Sequence, residues 1–187
     1  MSWYRPRLER SLHWIETLFG KRRDAAIIDV GAGESTLVDD LLVAGFSRLS
    51  LLDLSDSALR RVRERLGERG KQVAFHSGDV TRLTIPGAPF ALWHDRAVFH
   101  FLTAPDDQRR YVEKAAASIV PGGYAIVAAF ASDGPRQCSQ LAVSNYDAAS
   151  LAVCFAPAFE LIAAERENHI TPSGGTQAFQ YVILRCK

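Results

Sequence analysis

The sequence predicts a three-layer α/β domain, with a seven-stranded, mostly parallel sheet, its last strand antiparallel, and helices on both faces. Three observations predict it. Short apolar runs of strand length alternate with amphipathic stretches of helical spacing along most of the chain, the pattern of successive strand–helix units. The first run ends in Asp29-Val30-Gly31-Ala32-Gly33, a strand passing through a glycine turn to a helix start. The last two runs are joined by Thr171-Pro172-Ser173-Gly174-Gly175, too short for a crossover helix, so they pair antiparallel.

Each element has its own signal. After Pro6, Leu8, Leu12, Ile15, Leu18 and Phe19 recur every three or four positions and stop at Gly20, which predicts a helix. Ala25–Val30 is the first strand and Glu34–Ala44 the next helix, closed by Gly45. Arg48–Leu54 is the second strand. Ser55 suits the N-cap of a helix over Asp56–Leu66, ended by Gly67. Gln72–His76 is the third strand and leads into Gly78-Asp79-Val80. Pro86, Gly87 and Pro89 mark a loop before the fourth strand, Phe90–His94. Asp106–Val120 reads as a helix ended by Pro121-Gly122-Gly123, and Tyr124–Phe130 as the fifth strand. Ala131–Tyr146 reads as a long polar loop and Asp147–Cys154 as a short helix. Phe159–Asn168 and Thr176–Arg185 are the last two strands. Residues 1–24 form an N-terminal helical segment, and 25–187 the main domain.

The chain has 187 residues, 48% of them hydrophobic, with a formal net charge of +1, enough for one core and without a field that attracts nucleic acid or an anionic membrane. No run is long enough to cross a bilayer, and no charged-then-apolar leader begins the chain. Cys138, Cys154 and Cys186 are odd in number and far apart, which favours reduced thiols and a cytoplasmic location.

In an open parallel sheet, ligands bind beyond the carboxyl ends of the strands. A dinucleotide loop continues to a third glycine, but Thr36 stands there, which argues against a pyrophosphate and so against a nicotinamide cofactor. Asp53, about twenty residues past the glycines, can accept both hydroxyls of a ribose or cap the helix that follows. Asp79 can accept an adenine amino group, with the Val80 N–H on a ring nitrogen, or serve only as a turn aspartate.

The strings I-D-V-G-A-G-E-S, L-L-D-L-S, H-S-G-D-V and P-G-G-Y-A-I-V, in this order and spacing, resemble the class I S-adenosylmethionine-dependent methyltransferases over nearly the whole chain. The resemblance implies a Rossmann-like fold and S-adenosyl-L-methionine as cofactor. It implies Gly31, Ala32 and Gly33 at the methionine end, Asp29 orienting the amino group directly or through water, Asp53 and Leu54 at the ribose, and Asp79 with Val80 at adenine. Ser35 stands where many members have a third glycine. The run from His94 to Leu102 resembles the D-R-[AG] segment of thiopurine methyltransferase-like proteins and the D-K-G segment of elongation-factor lysine methyltransferase-like proteins. G-P-R-Q-C-S followed by Val143 and Tyr146 falls where the former have a G-P loop. Trp3-Tyr4 resembles an aromatic pair laid over the cofactor, so residues 1–24 are expected to serve as a lid. Related chains usually have a further aromatic segment before that pair, and a chain that lacked it would have a reduced lid.

His94, Asp95 and His100 are the candidate catalytic residues, because an imidazole or carboxylate beside the methyl can take the acceptor's proton; His94 is also a candidate cofactor contact. Arg96 is expected to pair with Asp95, and Trp93, Phe99 and Phe101 to wall the acceptor. His94, His100, His169 and Cys138 fall on one rim, but without H-x-x-x-H or C-x-x-C spacing no metal is expected. The expected acceptor is a small molecule, with a thiol or other soft nucleophile favoured. The alternatives are a protein lysine and a cofactor-binding protein without turnover. With no basic stripe and no N-P-P-Y-type string, nucleic acid is not the expected partner.

Overall fold

The computed structural model describes residues 7–171 and 174–187. The seven-stranded sheet is built from β1 (Ala26–Val30), β2 (Arg48–Asp53), β3 (Val73–Ser77), β4 (Phe90–Arg96), β5 (Ile119–Phe130), β8 (Phe159–Ile170) and β9 (Thr176–Cys186). A small separate hairpin pairs β6 (Gln137–Cys138) with β7 (Leu141–Ala142). The main sheet runs β3-β2-β1-β4-β5-β9-β8, with β9 antiparallel to both its neighbours and the first five strands parallel. Strand order reverses between β1 and β4, and a ligand crevice opens there.

The helices are α1 (Glu9–Phe19), α2 (Leu37–Val43), α3 (Asp56–Leu66), α4 (Pro105–Ser118) and α5 (Ala148–Phe155). Strand alternation divides the core in two. Ile27, Leu92, Ile126 and Ile183 pack with Leu12, Ile15, Leu41 and Val62 of α1–α3. Ile28, Trp93, Val127 and Val182 pack with Tyr111, Leu151 and Phe155 of α4 and α5. Because α1 shares a cluster with β1 and β4, the N-terminal helix packs as part of the main core. Its Trp14 Nε1–H donates to Glu165 of β8 over 2.9 Å, and Arg10 pairs with the same carboxylate. Trp3 lies outside the described residues.

Four expectations need correction. The helix expected over Glu34–Ala44 begins only at Leu37, because the Arg65 fork holds the carbonyls of Glu34 (3.0 Å) and Ser35 (2.7 Å), and Ser35 Oγ takes the Leu37 N–H (3.1 Å). Pro121-Gly122-Gly123 does not simply end a helix: β5 starts at Ile119 opposite Phe90, and the run is an irregularity where pairing shifts before Tyr124 meets Leu92. The 131–146 loop contains the β6–β7 hairpin, turned at Ser139 and Gln140 with φ of 49° and 68°. β4 continues to Arg96, so Asp95 and Arg96 belong to opposite faces of a strand and do not pair.

Candidate functional site

A cavity of about 550 Å³ opens beyond the ends of β1, β2, β3 and β4, a size usual for small-molecule sites. One end is polar and built from strand termini. Gly31 and Gly33 have φ of 66° and 51°, and a Cβ on Gly31 would lie 1.9 Å from Val98 Cγ2, so only glycine fits that turn. The Gly31 N–H closes onto the Leu52 carbonyl at 2.7 Å. Asp53 accepts the Gly33 N–H at 2.8 Å on one oxygen and the Ser55 N–H at 2.7 Å on the other. Each oxygen keeps a lone pair for a ligand. Leu54, 76% exposed, stands on the same wall. Asp79 accepts the Thr81 N–H and hydroxyl at 2.8 and 2.7 Å, which holds its carboxyl below the usual range, and Val80 lies beside it on the wall. Arg61 of α3 pairs with Glu34 at 2.7 Å across this end and depresses the Glu34 carboxyl.

The other end carries Arg96, Ala97, Val98, Phe101, Leu102, Cys138 and Leu141. It is apolar except for Arg96 and the Cys138 thiol, which burial pushes up and so keeps protonated. The Arg96 guanidinium is buried. Its carbon sits 4.1 Å over the Phe179 ring, its Nε–H donates to Tyr181 Oη at 3.2 Å, and Nη2 lies 3.7 Å from Glu167. Its ionic partner is therefore Glu167 of β8 rather than the expected Asp95.

Gly31, Gly33, Asp53, Leu54, Asp79 and Val80 come together on the cavity wall. The remaining expected residues are not among the described lining residues. Ala32 is buried, with its N–H on the Leu52 carbonyl at 3.1 Å. Asp29 is buried and bonded to His94 Nδ1 at 2.7 Å. His94 is 1% exposed and its Nε2 meets Ser11 Oγ of α1 at 2.8 Å, so both ring nitrogens are occupied. Asp95 is fully enclosed. It accepts the Val98 and Phe99 N–H groups at 2.8 and 3.0 Å and the Tyr111 hydroxyl. Burial raises its carboxyl to about 6. His100 takes the Phe130 N–H on Nδ1 at 3.2 Å, and burial, with the Arg96 charge, lowers it to about 3. Of the three expected aromatic wall residues, Phe101 lines the cavity, while Trp93 and Phe99 are core. Among the described residues no group of three or more His, Cys, Asp or Glu is placed to hold a metal ion, and no helix is long and apolar enough to cross a membrane.

Sequence reasoning missed Glu34, Arg61 and the cavity-facing role of Arg96. Continuing the β4 alternation by two residues would have separated Asp95 from Arg96. Nothing local marks the Arg61–Glu34 pair, which joins two different strand–helix units.

A family model described as a methyltransferase domain matches residues 27–123, more than half of the chain. The eEF1A lysine and N-terminal methyltransferase of Mus musculus is 24% identical over 82 residues, 44% of this chain. This chain spans only 12% of that relative's length. The crystal structure of Burkholderia thailandensis 1,6-didemethyltoxoflavin-N1-methyltransferase, with its substrate and S-adenosylhomocysteine bound, is 22% identical. Its TM-score is 0.76, over 95% of this chain and 77% of that one. The N-methyltransferase NodS from Bradyrhizobium japonicum WM9, in complex with S-adenosylhomocysteine, is 13% identical. Its TM-score is 0.75, over 95% and 86% of the two chains. At these identities the structural likeness concerns the fold.

Proposed function

We propose that this chain, which belongs to the class I S-adenosylmethionine-dependent methyltransferases, methylates a small molecule at a soft nucleophile, a thiol above all. One observation carries the proposal: the glycine turn, Asp53, and Asp79 with Val80 converge on a single cavity whose far end is apolar apart from Arg96 and Cys138 and, among the described residues, presents no base.

The residues present fit the cofactor. Asp53 has acceptor capacity left for a ribose diol, Leu54 offers an apolar surface to a flat base, and the Val80 backbone and Asp79 border the place adenine would take. Asp29 is fixed by His94 beneath the glycine turn and contributes negative charge to the methionine end. When bound, S-adenosylmethionine supplies a methyl group on a positively charged sulfur, already activated for displacement.

The chain's own work is alignment. Val98, Phe101, Leu102 and Leu141 exclude water from the acceptor and press its nucleophilic atom toward the methyl. His94, Asp95 and His100, the expected bases, sit behind the wall, and the Cys138 thiol is held neutral. The acceptor therefore reaches its nucleophilic form without help from the wall, which suits a thiol that has given its proton to solvent before it is enclosed. His94 is a positioning residue for Asp29 and α1; Asp95 ties the end of β4 to the turn after it. The second reading, a protein lysine, draws on the likeness to the mouse protein, but an ammonium must first lose a proton and the described residues of this wall include no base for it.

Calorimetry with S-adenosylmethionine and S-adenosylhomocysteine tests the cofactor; binding of neither overturns the proposal. With binding established, labelled cofactor is offered to thiols, amines, carboxylates and an elongation factor. Label on thiols first supports the proposal; label on the protein first overturns the acceptor class. Tight product binding with no transfer to any acceptor turns the reading to a cofactor-binding protein.

A further inference from the structure

We propose that Arg61 and Arg65 of α3 are positioning residues for the cofactor: they hold the glycine turn open at the ribose end and keep the segment after it from winding into α2. This rests on the methyltransferase reading above. Arg61 and Arg65 are four positions apart on α3, so both face the same neighbour. That neighbour is the segment following Gly33. Arg61 meets the Glu34 carboxylate at 2.7 Å, and both residues line the cavity together with Gly33, Asp53 and Ala58. Arg65 spans the next residues. Its Nη1–H donates to the Glu34 carbonyl at 3.0 Å, and its Nη2–H groups donate to the Ser35 carbonyl at 2.7 Å and to the Asp39 carboxylate at 2.8 Å.

Those two carbonyls decide where α2 begins. In a helix extended toward the turn they would accept the N–H groups of Val38 and Asp39, four positions on. With the Arg65 fork on them, α2 starts at Leu37, and the Asp39 N–H goes to the Thr36 carbonyl at 3.0 Å instead. Extension would make Ser35 and Thr36 helical and re-aim Glu34, the next residue after the Gly33 peptide that faces Asp53 at 2.8 Å. A ligand would then have to unwind that turn before binding, and its apparent affinity would fall by the fraction of molecules in the open form. The arginines set the open form in advance. Both side chains are partly exposed, and surface ion pairs contribute little to folding stability. Their loss is therefore read in ligand affinity, not in the fold.

The test is calorimetry with S-adenosylhomocysteine and S-adenosylmethionine, beside a urea titration of each variant. Arg65→Met is expected to weaken both ligands about 10–30-fold, and Arg65→Lys, which keeps the charge but loses the fork, about tenfold. Arg61→Met is expected to weaken both about 3–10-fold. Arg61→Lys, a point charge that still meets one carboxylate, is expected to stay within about twofold of the wild type. Urea midpoints should stay within about 0.5 M of the wild type throughout. Equal losses for the two ligands show that the arginines act through the turn. A loss confined to one ligand would place a guanidinium against the charge on sulfur and overturn the inference. So would unchanged affinity in either methionine variant, full rescue by Arg65→Lys, or affinity that falls only in step with the urea midpoint. If the methionine variants do not fold, the lysine pair decides: a weaker Arg65→Lys beside an unchanged Arg61→Lys supports the inference, and equal behaviour overturns it. All these outcomes leave the methyltransferase reading standing; that reading fails if the wild type binds neither ligand.

Discussion

The two ends of the cavity are made in different ways. At the polar end each carboxylate is fixed by the backbone next to it. Asp53 is held by the N–H groups of Gly33 and Ser55, and Asp79 by Thr81. These bonds come with the strand-end turns themselves. At the apolar end the contacts are distant in sequence. Arg96 is set by Phe179, Tyr181 and Glu167 from β9 and β8, and Leu141 arrives on a hairpin after β5. The polar end is thus a property of the parallel strand–helix units, and the apolar end a property of how the antiparallel pair and the hairpin pack beside them. A chain can vary the second while keeping the first, so donor and acceptor binding should separate under mutation.

The largest effect is expected at the turn joining the ends. In Gly31→Ala the new methyl would lie 1.9 Å from Val98 Cγ2, in a backbone with φ of 66°. Left-handed backbone and overpacking together cost about 2–5 kcal/mol. A urea titration should show that loss, and calorimetry should find no S-adenosylhomocysteine binding at protein concentrations that saturate the wild type. Asp53→Ala comes next. It removes the acceptor of two backbone N–H groups and of the proposed ribose hydroxyls, so product affinity should fall about 100-fold, by isothermal calorimetry. Thiol acceptors should still bind the acceptor end of this variant. If they are lost too, the two ends are not separable.

The same division explains what was legible in the sequence. Gly31, Gly33, Asp53, Asp79 and Val80 could be placed because a strand, its end and the following turn are local, and the ends of parallel strands fall together once the strands alternate with helices. His94, Asp95 and His100 could be placed near the end of β4, but not on the correct side of the wall. Their side chains are directed by strand alternation and by Ser11, Tyr111 and Phe130, which lie between 16 and 83 positions away. The β6–β7 turn was illegible for a different reason: Ser139-Gln140 lacks the Asn-Gly or Asp-Gly signature of a two-residue hairpin.

The buried acid behind the acceptor wall gives a smaller, pH-dependent effect. Asp95 has a carboxyl raised to about 6 by burial, against about 3.9 in an unfolded chain. The folded state therefore holds more protons between about pH 4 and 6, and Asp95's contribution to stability declines as pH rises through that window, by about 2–3 kcal/mol. His100 has the opposite sign. It is lowered to about 3, so its contribution is complete above about 6.5 and is lost as pH falls. In the wild type the two oppose one another from about pH 4 to 6. Asp95→Asn removes one of them, so its unfolding free energy should fall steadily on acidification below about pH 6.5, while the wild type stays flatter. Parallel slopes in denaturant titrations at pH 4, 5, 6 and 7 would show that Asp95 is not held protonated by its surroundings.

The smallest effect is expected at Ala97, which shares the left-handed conformation of Gly31 but not its crowding consequence. Its φ is 77°, and its N–H is fixed to the Ala128 carbonyl at 2.9 Å. An alanine in this region costs about 1–2 kcal/mol. Replacing it with glycine removes that strain but gives the unfolded chain more freedom, worth about 0.4–1 kcal/mol in the other direction. Ala97→Gly should therefore be neutral to about 1 kcal/mol more stable, with product affinity unchanged. A loss of more than about 1 kcal/mol would mean that the packing of the Ala97 methyl against the core outweighs its backbone strain. The acceptor end would then be as tightly specified as the donor end, and the two would no longer differ in the way described.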